Sequence, residues 1–312
     1  MKIAIVGVGA LGSFFGAMLA RHGADVTLYI RNDAHRQAIA DQGLKLQIDT
    51  GDEIVTPNVA LPSHATASVD LVMVFSKTGA TRAVLAAVQG LIGAETRLIS
   101  LQNGLGNQDV LAEFAPMDHV IYGTTTTPAD LIAPGRVASH GPHLSQFKAA
   151  TGNAQTMVMA EKLATLLNAA DMPSVVNADI DAVIWGKVAF NTAMNSICAL
   201  YAAPAGIVAS TPYLTELAIA VAMESCDVAA VGGVTVDREK VRQTINMSMH
   251  DHATHKPSMV RDVEAGKITE IDALNGAVVA LGDQHQVPTP LNKTMLALIK
   301  GVEAQYASGQ AD

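Results

Sequence analysis

Met1-Lys2-Ile3-Ala4-Ile5-Val6-Gly7-Val8-Gly9-Ala10-Leu11-Gly12-Ser13-Phe14-Phe15-Gly16 is the stretch on which the fold turns. Ile3 to Val6 is a short apolar run with two isoleucines and a valine, which reads as a strand buried on both faces. Gly7, Gly9 and Gly12 follow in GxGxxG spacing, and Ala10 to Arg21 then reads as a helix. Strand, glycine turn and helix in that order form the context a dinucleotide fingerprint requires. Gly7 permits the tight turn, Gly9 lets backbone approach a pyrophosphate, and Gly12 lets the helix pack close to the strand. Ala10 and Leu11 open the helix, whose N–H groups and positive dipole end face the phosphates. Gly7, Gly9, Ala10, Leu11 and Gly12 are therefore the candidate cofactor-binding turn; the bland alternative is a glycine-rich strand–helix turn with no ligand.

Beyond it, Gly23 closes the helix and Asp25 to Ile30 reads as a second strand. An acid at that strand's end would bind a ribose 2′-hydroxyl, whereas an arginine accommodates a 2′-phosphate. Arg31-Asn32 stands there, and Asp33 comes later, where it would cap the next helix. NADP(H) is thus expected over NAD(H), against the alternative of a solvated arginine. Asp33 to Gln42 reads as a helix and Leu44 to Val59 as strands with a turn near Gly51. Asp70 to Phe75 is another buried strand, ending in Ser76-Lys77-Thr78. Lys77 at a parallel strand's carboxyl end faces the ligand crevice of such sheets, or else simply solvent. Thr81 to Ile92 is helical, and Arg97 to Leu101 is a strand running into Gln102-Asn103-Gly104. Asn103 would reach a nicotinamide or a substrate, although Asn-Gly is also a common turn dipeptide. From Val120 the texture changes, and extra antiparallel strands are expected to finish the sheet. A helix over Met157 to Ala170 and a short strand at Ser174 to Val176 follow, and the domain boundary falls near Asn177-Ala178-Asp179.

The 312 residues are enough for two domains, and 49% hydrophobic residues supply large cores. A net charge of -9 argues against a nucleic-acid surface while leaving room for a local basic pocket holding one phosphate. Cys198 and Cys226 lie in apolar helical surroundings and read as core thiols. A start directly in a strand leaves no room for a signal peptide, and no apolar run reaches ~18 residues. A soluble cytoplasmic protein without membrane contact is expected.

Almost everything after the boundary reads as helix. Lys187, Asn191 and Asn195 are spaced four apart and share one face of a mostly apolar helix over Asp181 to Leu200. Unpaired polar burial costs several kcal/mol or shifts a lysine's pKa, so these groups need partners. They either bond neighbouring helices or line a substrate cleft. In the segment His255 to Asp272, Pro257 fits a helix's first turn, and Ser258 and Asp262 lie on one face. Thr269 with Asp272 resembles a capping box, which leaves Glu270 to point elsewhere. A carboxylate near Lys187 would hold its ammonium, and Ser258 would bind a substrate carboxylate. His250, His252 and His255 invite a metal reading, but on a helix His250 and His252 face different ways and no carboxylate or cysteine completes a tight set, so no metal site is expected. No nucleophile motif such as GxSxG appears.

Together the N-terminal GxGxxG, the Lys187-x3-Asn191-x3-Asn195 helix and the Ser258-Met259-x2-Asp262…Thr269-Glu270-Ile271-Asp272 segment resemble the ketopantoate reductase (2-dehydropantoate 2-reductase) family. The likeness covers essentially the whole chain. It implies an α/β fold: a Rossmann-type doubly wound NADP-binding domain over 1–177, then an all-helical substrate and catalytic domain over 178–312, with the active site in the cleft between them. By that likeness Lys187 would be the general acid and Glu270 its partner in substrate binding. Asn191, Asn195 and Ser258 would hold the substrate, Asn103 would sit beside the nicotinamide, and Arg31 and Lys77 would bind the adenosine phosphate end. His255-Lys256-Pro257 stands before Ser258 where a small polar residue such as asparagine is expected. The reaction implied is NADPH-dependent reduction of 2-dehydropantoate to pantoate. Alternatives are another small 2-oxo acid, an opine-type imine, or a nucleotide-binding regulator without turnover. The helical half is apolar enough to support a homodimer, but no heptad or repeat fixes one.

Overall fold

The computed structural model describes residues 1–307, and the chain divides into two compact units. The first comprises Met1–Gln102 and Gly106–Ile180. In chain order it contains β1 (Lys2–Val6), α1 (Ala10–Arg21), β2 (Asp25–Tyr29), α2 (Asp33–Gln42), β3 (Leu44–Ile48), β4 (Gly51–Val55) and β5 (Asn58–Ala60). There follow β6 (Leu71–Val74), α3 (Thr81–Ala87), β7 (Arg97–Ser100), α4 (Asn107–Ala112), β8 (Val120–Thr125), β9 (Asp130–Ala133) and β10 (Arg136–Ala138). It closes with β11 (Ser145–Ala149), α5 (Ala154–Ala169) and β12 (Ser174–Val176).

The main sheet has eight strands in the order β12-β11-β8-β7-β6-β1-β2-β5. From β8 to β5 every pairing is parallel, and β11 enters antiparallel to β8. The apolar runs of β1 and β6 explain their central places, since a strand covered on both faces must be apolar at every position. Alternate residues go to opposite faces. Ile3, Ile5, Leu71 and Met73 pack against Phe14, Phe15 and Leu19 of α1 and Leu163 of α5, whereas Ala4, Val6, Val72 and Val74 pack against Leu85 of α3 and Leu111 of α4.

The expectation that strands after Val120 finish this sheet is corrected in part. β9 and β10 leave it for a separate four-stranded sheet, ordered β4-β3-β10-β9, in which β10 runs parallel to β3. The turn between them explains the transfer. Lys45 N donates to the Gly135 carbonyl at 2.9 Å, and Gly135 N donates to His35 Nδ1 of α2 at 2.9 Å. Asn32, rather than Asp33, caps α2: its side chain accepts from His35 N at 3.0 Å. Asp33 instead pairs with Arg36 at 3.0 Å in the first turn. Likewise α5 begins before Met157, because Asn153 caps it by accepting from Thr156 N at 3.1 Å.

The second unit comprises Asn103–Leu105 and the chain from Asp181 onward. It is helical: α6 (Ile180–Leu200), α7 (Pro212–Val231), α8 (Arg238–His250), α9 (Ser258–Glu264), a π-helical turn at Asp272–Gly276, α10 (Ala277–His285) and α11 (Pro290–Ala307). One core joins Ala193 and Ile197 of α6 to Val221 of α7 and Ile245 of α8. Another joins Val188 of α6, Met259 of α9, Leu274, Val278 of α10 and Ile299 of α11. Cys198 and Cys226 are buried free thiols. Among the described residues no helix is long and apolar enough to cross a membrane.

Candidate active site

Gly7 has φ +72°, and a Cβ placed on it would lie 2.2 Å from the Ser76 nitrogen. The turn after β1 is therefore pressed against the backbone that follows β6, and only glycine fits there. Ser76 is itself held from β7. Gln102, buried just beyond that strand, donates from Nε2 to the Ser76 carbonyl at 2.5 Å and to Thr81 Oγ1 at 2.9 Å. Ser100 Oγ donates to Gln102 Oε1 at 2.7 Å. The carboxyl ends of three neighbouring strands are thus tied together under the turn. At this strand end the sequence points to Asn103 and not to its neighbour Gln102. A lone glutamine after a buried strand has no local signature, and its partners lie 21 and 26 residues away.

The turn fits an anion. A Cβ on Gly9 would meet nothing within 4 Å, so backbone there faces open space. The first turn of α1 has no acidic residue and no side-chain cap. Its leading N–H groups, at Ala10, Leu11 and Gly12, have no intrahelical acceptor. Gly12 lies close to β1, its Cβ position being 3.2 Å from the Gly7 carbonyl oxygen and 3.4 Å from Ile5 Cγ2. Arg31 is exposed just past β2, and Lys77 is exposed past β6. Asn103 is half-buried and groups with the helical unit.

In the helical unit, Asn191 and Asn195 are 7% and 6% exposed on α6, one and two turns beyond Lys187. Burial pulls the Lys187 ammonium down to about 8, while the Glu270 carboxylate acts in the opposite direction. An amine so placed exchanges a proton near neutrality, which an ordinary surface lysine does not. The Glu270 carboxylate is thus near enough for its charge to be felt at Lys187. Ser258 is exposed as the first residue of α9 and has no hydrogen bond to this pair among the described residues. Pro257 is the residue before that helix, not within its first turn.

The capping box expected at Thr269 and Asp272 does not form. Thr269 N donates to Glu303 Oε1 at 2.8 Å, and Asp272 pairs with Lys300 at 2.5 Å. Both partners lie on α11, about thirty residues on, so local spacing could not reveal them. Behind α6 is a buried polar chain. Asn275 Nδ2 donates to the Thr192 carbonyl at 3.0 Å and to Asn292 Oδ1 at 3.1 Å. Asn292 Nδ2 donates to Glu224 Oε2 at 3.0 Å, and Glu224 accepts from the first-turn N–H groups of Leu291 and Asn292 in α11.

Comparison with known families places this geometry. The profile described as ketopantoate reductase PanE/ApbA matches residues 3–152, and its C-terminal counterpart matches residues 179–303. The chain belongs to the ketopantoate reductase family. It is 30% identical to the 2-dehydropantoate 2-reductase of Streptococcus pyogenes over 305 residues, 97% of this chain and 98% of that one. To the protein of the same name from Pyrococcus abyssi it is 32% identical over 308 residues, with the same coverage. Among solved structures it resembles D-mandelate dehydrogenase in complex with NADH and anilino(oxo)acetate, with a TM-score of 0.93, 28% identity and coverage of 98% of this chain and 100% of that one. As a ketopantoate reductase family member the chain is an oxidoreductase with a Rossmann-type first half.

Proposed function

We propose that this chain reduces 2-dehydropantoate to pantoate with NADPH, and that Lys187 supplies the proton. The observation that carries the reading is the amine tuned to about 8 beside Glu270, on a helix face with two buried carboxamides. The family and the names of the relatives support the substrate. The choice of NADPH rests on Arg31, exposed where a 2′-phosphate would lie, while the neighbouring Asn32 is committed to capping α2. An NADH-bound neighbour keeps NAD(H) as the competing cofactor.

When bound, the nicotinamide supplies a hydride to the keto carbon. The chain's part is to hold the substrate and manage charge. Negative charge builds on the keto oxygen, and the Lys187 ammonium stabilises it and then gives up its proton. Glu270 keeps that amine charged against the cost of burial. Asn191, Asn195 and Ser258 orient the hydroxyl and carboxylate. With the cofactor bound, the N–H groups of Ala10, Leu11 and Gly12 would receive its pyrophosphate, Arg31 and Lys77 would bind its adenosine phosphate end, and Asn103 would sit beside the nicotinamide.

Because the proton donor must be charged, reduction is expected to fall as pH rises through about 8, and the reverse oxidation to gain there. A second reading, an aromatic 2-oxo acid, is favoured by the likeness to D-mandelate dehydrogenase. Steady-state loss of NADPH absorbance with 2-dehydropantoate, phenylglyoxylate and branched 2-oxo acids separates the two. Lys187→Ala should lower turnover by ~10²–10⁴-fold. Full turnover in that variant rejects the mechanism. Binding of NADPH without consumption on any acid would make the chain a regulator.

A further inference from the structure

Glu303 is a carboxylate that the proposed chemistry does not use, yet it is only 5% exposed. Its Oε1 accepts from Thr269 N at 2.8 Å and from Thr269 Oγ1 at 2.7 Å. Its Oε2 accepts from Lys300 Nζ at 3.0 Å, and Lys300 also binds Asp272. Thr269 Oγ1 in turn accepts from Ile271 N at 3.1 Å. The residues on both sides of Glu270, at 269, 271 and 272, are therefore fastened to α11 directly or through one intermediary. Glu270 adds its own backbone to the π-helical turn, its carbonyl accepting from Ala273 N at 3.1 Å and Leu274 N at 3.2 Å. That turn is tied to α6 by Asn275.

An acid buried without need is costly, and an apolar side chain of similar volume often serves a core as well. This acid is fully engaged. Burial pushes the Glu303 carboxyl up, but the bonds from Thr269 and Lys300 outweigh it and hold the group below the usual range. The charged and titratable groups around it are Lys300, Asp272 and the Tyr306 phenol; at Lys187 the charge that opposes the effect of burial is that of Glu270.

We propose that Glu303 is a positioning residue: by clamping Thr269 and Lys300 it fixes Glu270 against Lys187 and so sets the pH up to which that amine keeps its proton. This rests on the reading of Lys187 as the proton donor. Glu270 raises the proton affinity of Lys187. A Glu270 released from its clamp spends less time near the amine, which then loses its proton at lower pH.

The test uses the full-length protein and a readout independent of turnover. Lys187 is labelled with trace acetic anhydride across a pH series, and its peptide is quantified by mass spectrometry. Glu303→Ala should move the labelling midpoint down by about half a unit or more, and the high-pH limb of kcat/KM by the same amount. Glu303→Gln keeps an oxygen for Thr269 and should restore most of the shift. An unchanged midpoint in Glu303→Ala, even with a lower Tm, makes the residue merely structural and overturns the proposal. If Glu303→Ala does not fold, Thr269→Val, which removes one of the two bonds to Glu303 Oε1, should shift the midpoint in the same direction; no shift is equally fatal. Failure of the function reading looks different, because Lys187→Ala would then retain turnover whatever the labelling shows.

Discussion

Lys187 sets function against stability. Its amine has a pKa of 10.5 in an unfolded chain and about 8 in the fold, with the attraction of Glu270 already included. The unfolded state therefore binds the proton more tightly, and stability rises with pH between about 8 and 10.5. Below that window the charged amine works against folding. Lys187→Met, which removes the charge and keeps the stem's length, should raise Tm at pH 7 and lose that advantage by pH 10, while turnover collapses. Melting curves of both proteins at the two pH values check this; a lower Tm at pH 7 would mean the amine is not disfavoured by its surroundings. The Lys187–Asn191–Asn195 stripe was legible in the sequence because a polar row at helical spacing in an apolar helix is a local pattern. Glu303 and Gln102 were not legible, because their meaning lies in partners 34 and 26 residues away.

The strand–turn–helix that opens the chain shows two glycines with different duties. At Gly7 an added methyl would strike the Ser76 backbone, which is bonded to Gln102 and has nowhere to go. At Gly9 an added methyl would enter open space, with nothing within 4 Å. Gly7→Ala should therefore destabilise the free protein by about 1–3 kcal/mol. Gly9→Ala should leave its Tm unchanged and weaken NADPH binding at least tenfold, since the methyl stands where a pyrophosphate would approach. Calorimetric titration with NADPH, beside melting of the free variants, separates the two; unaltered affinity in Gly9→Ala would remove the nucleotide from this turn. The element was legible because its strand, glycine turn and helix fall within twenty-one consecutive residues. The second sheet was not. Period-two alternation announces a strand but not its partner, and β10 finds β3 about ninety residues away.

Across the whole molecule, each unit has cores of its own, and the helical character of the described residues from Asp181 onward follows from their helical periodicity. What the periodicity did not reveal is that Asn103–Leu105 groups with the helical unit. Gly104 has φ +89°, and a Cβ there would lie 2.5 Å from the Ala273 carbonyl oxygen. Leu105 N donates to that same oxygen at 3.2 Å, and Leu105 packs against the core around Ile271 and Leu274. Anyone recombining two relatives at residue 180 would split this tripeptide from the helices it belongs to. A hybrid gene in which codons 103–105 travel with the C-terminal parent should give a protein that melts higher than the plain crossover. Inheritance in this family would then follow three dimensions in preference to the order of the reading frame.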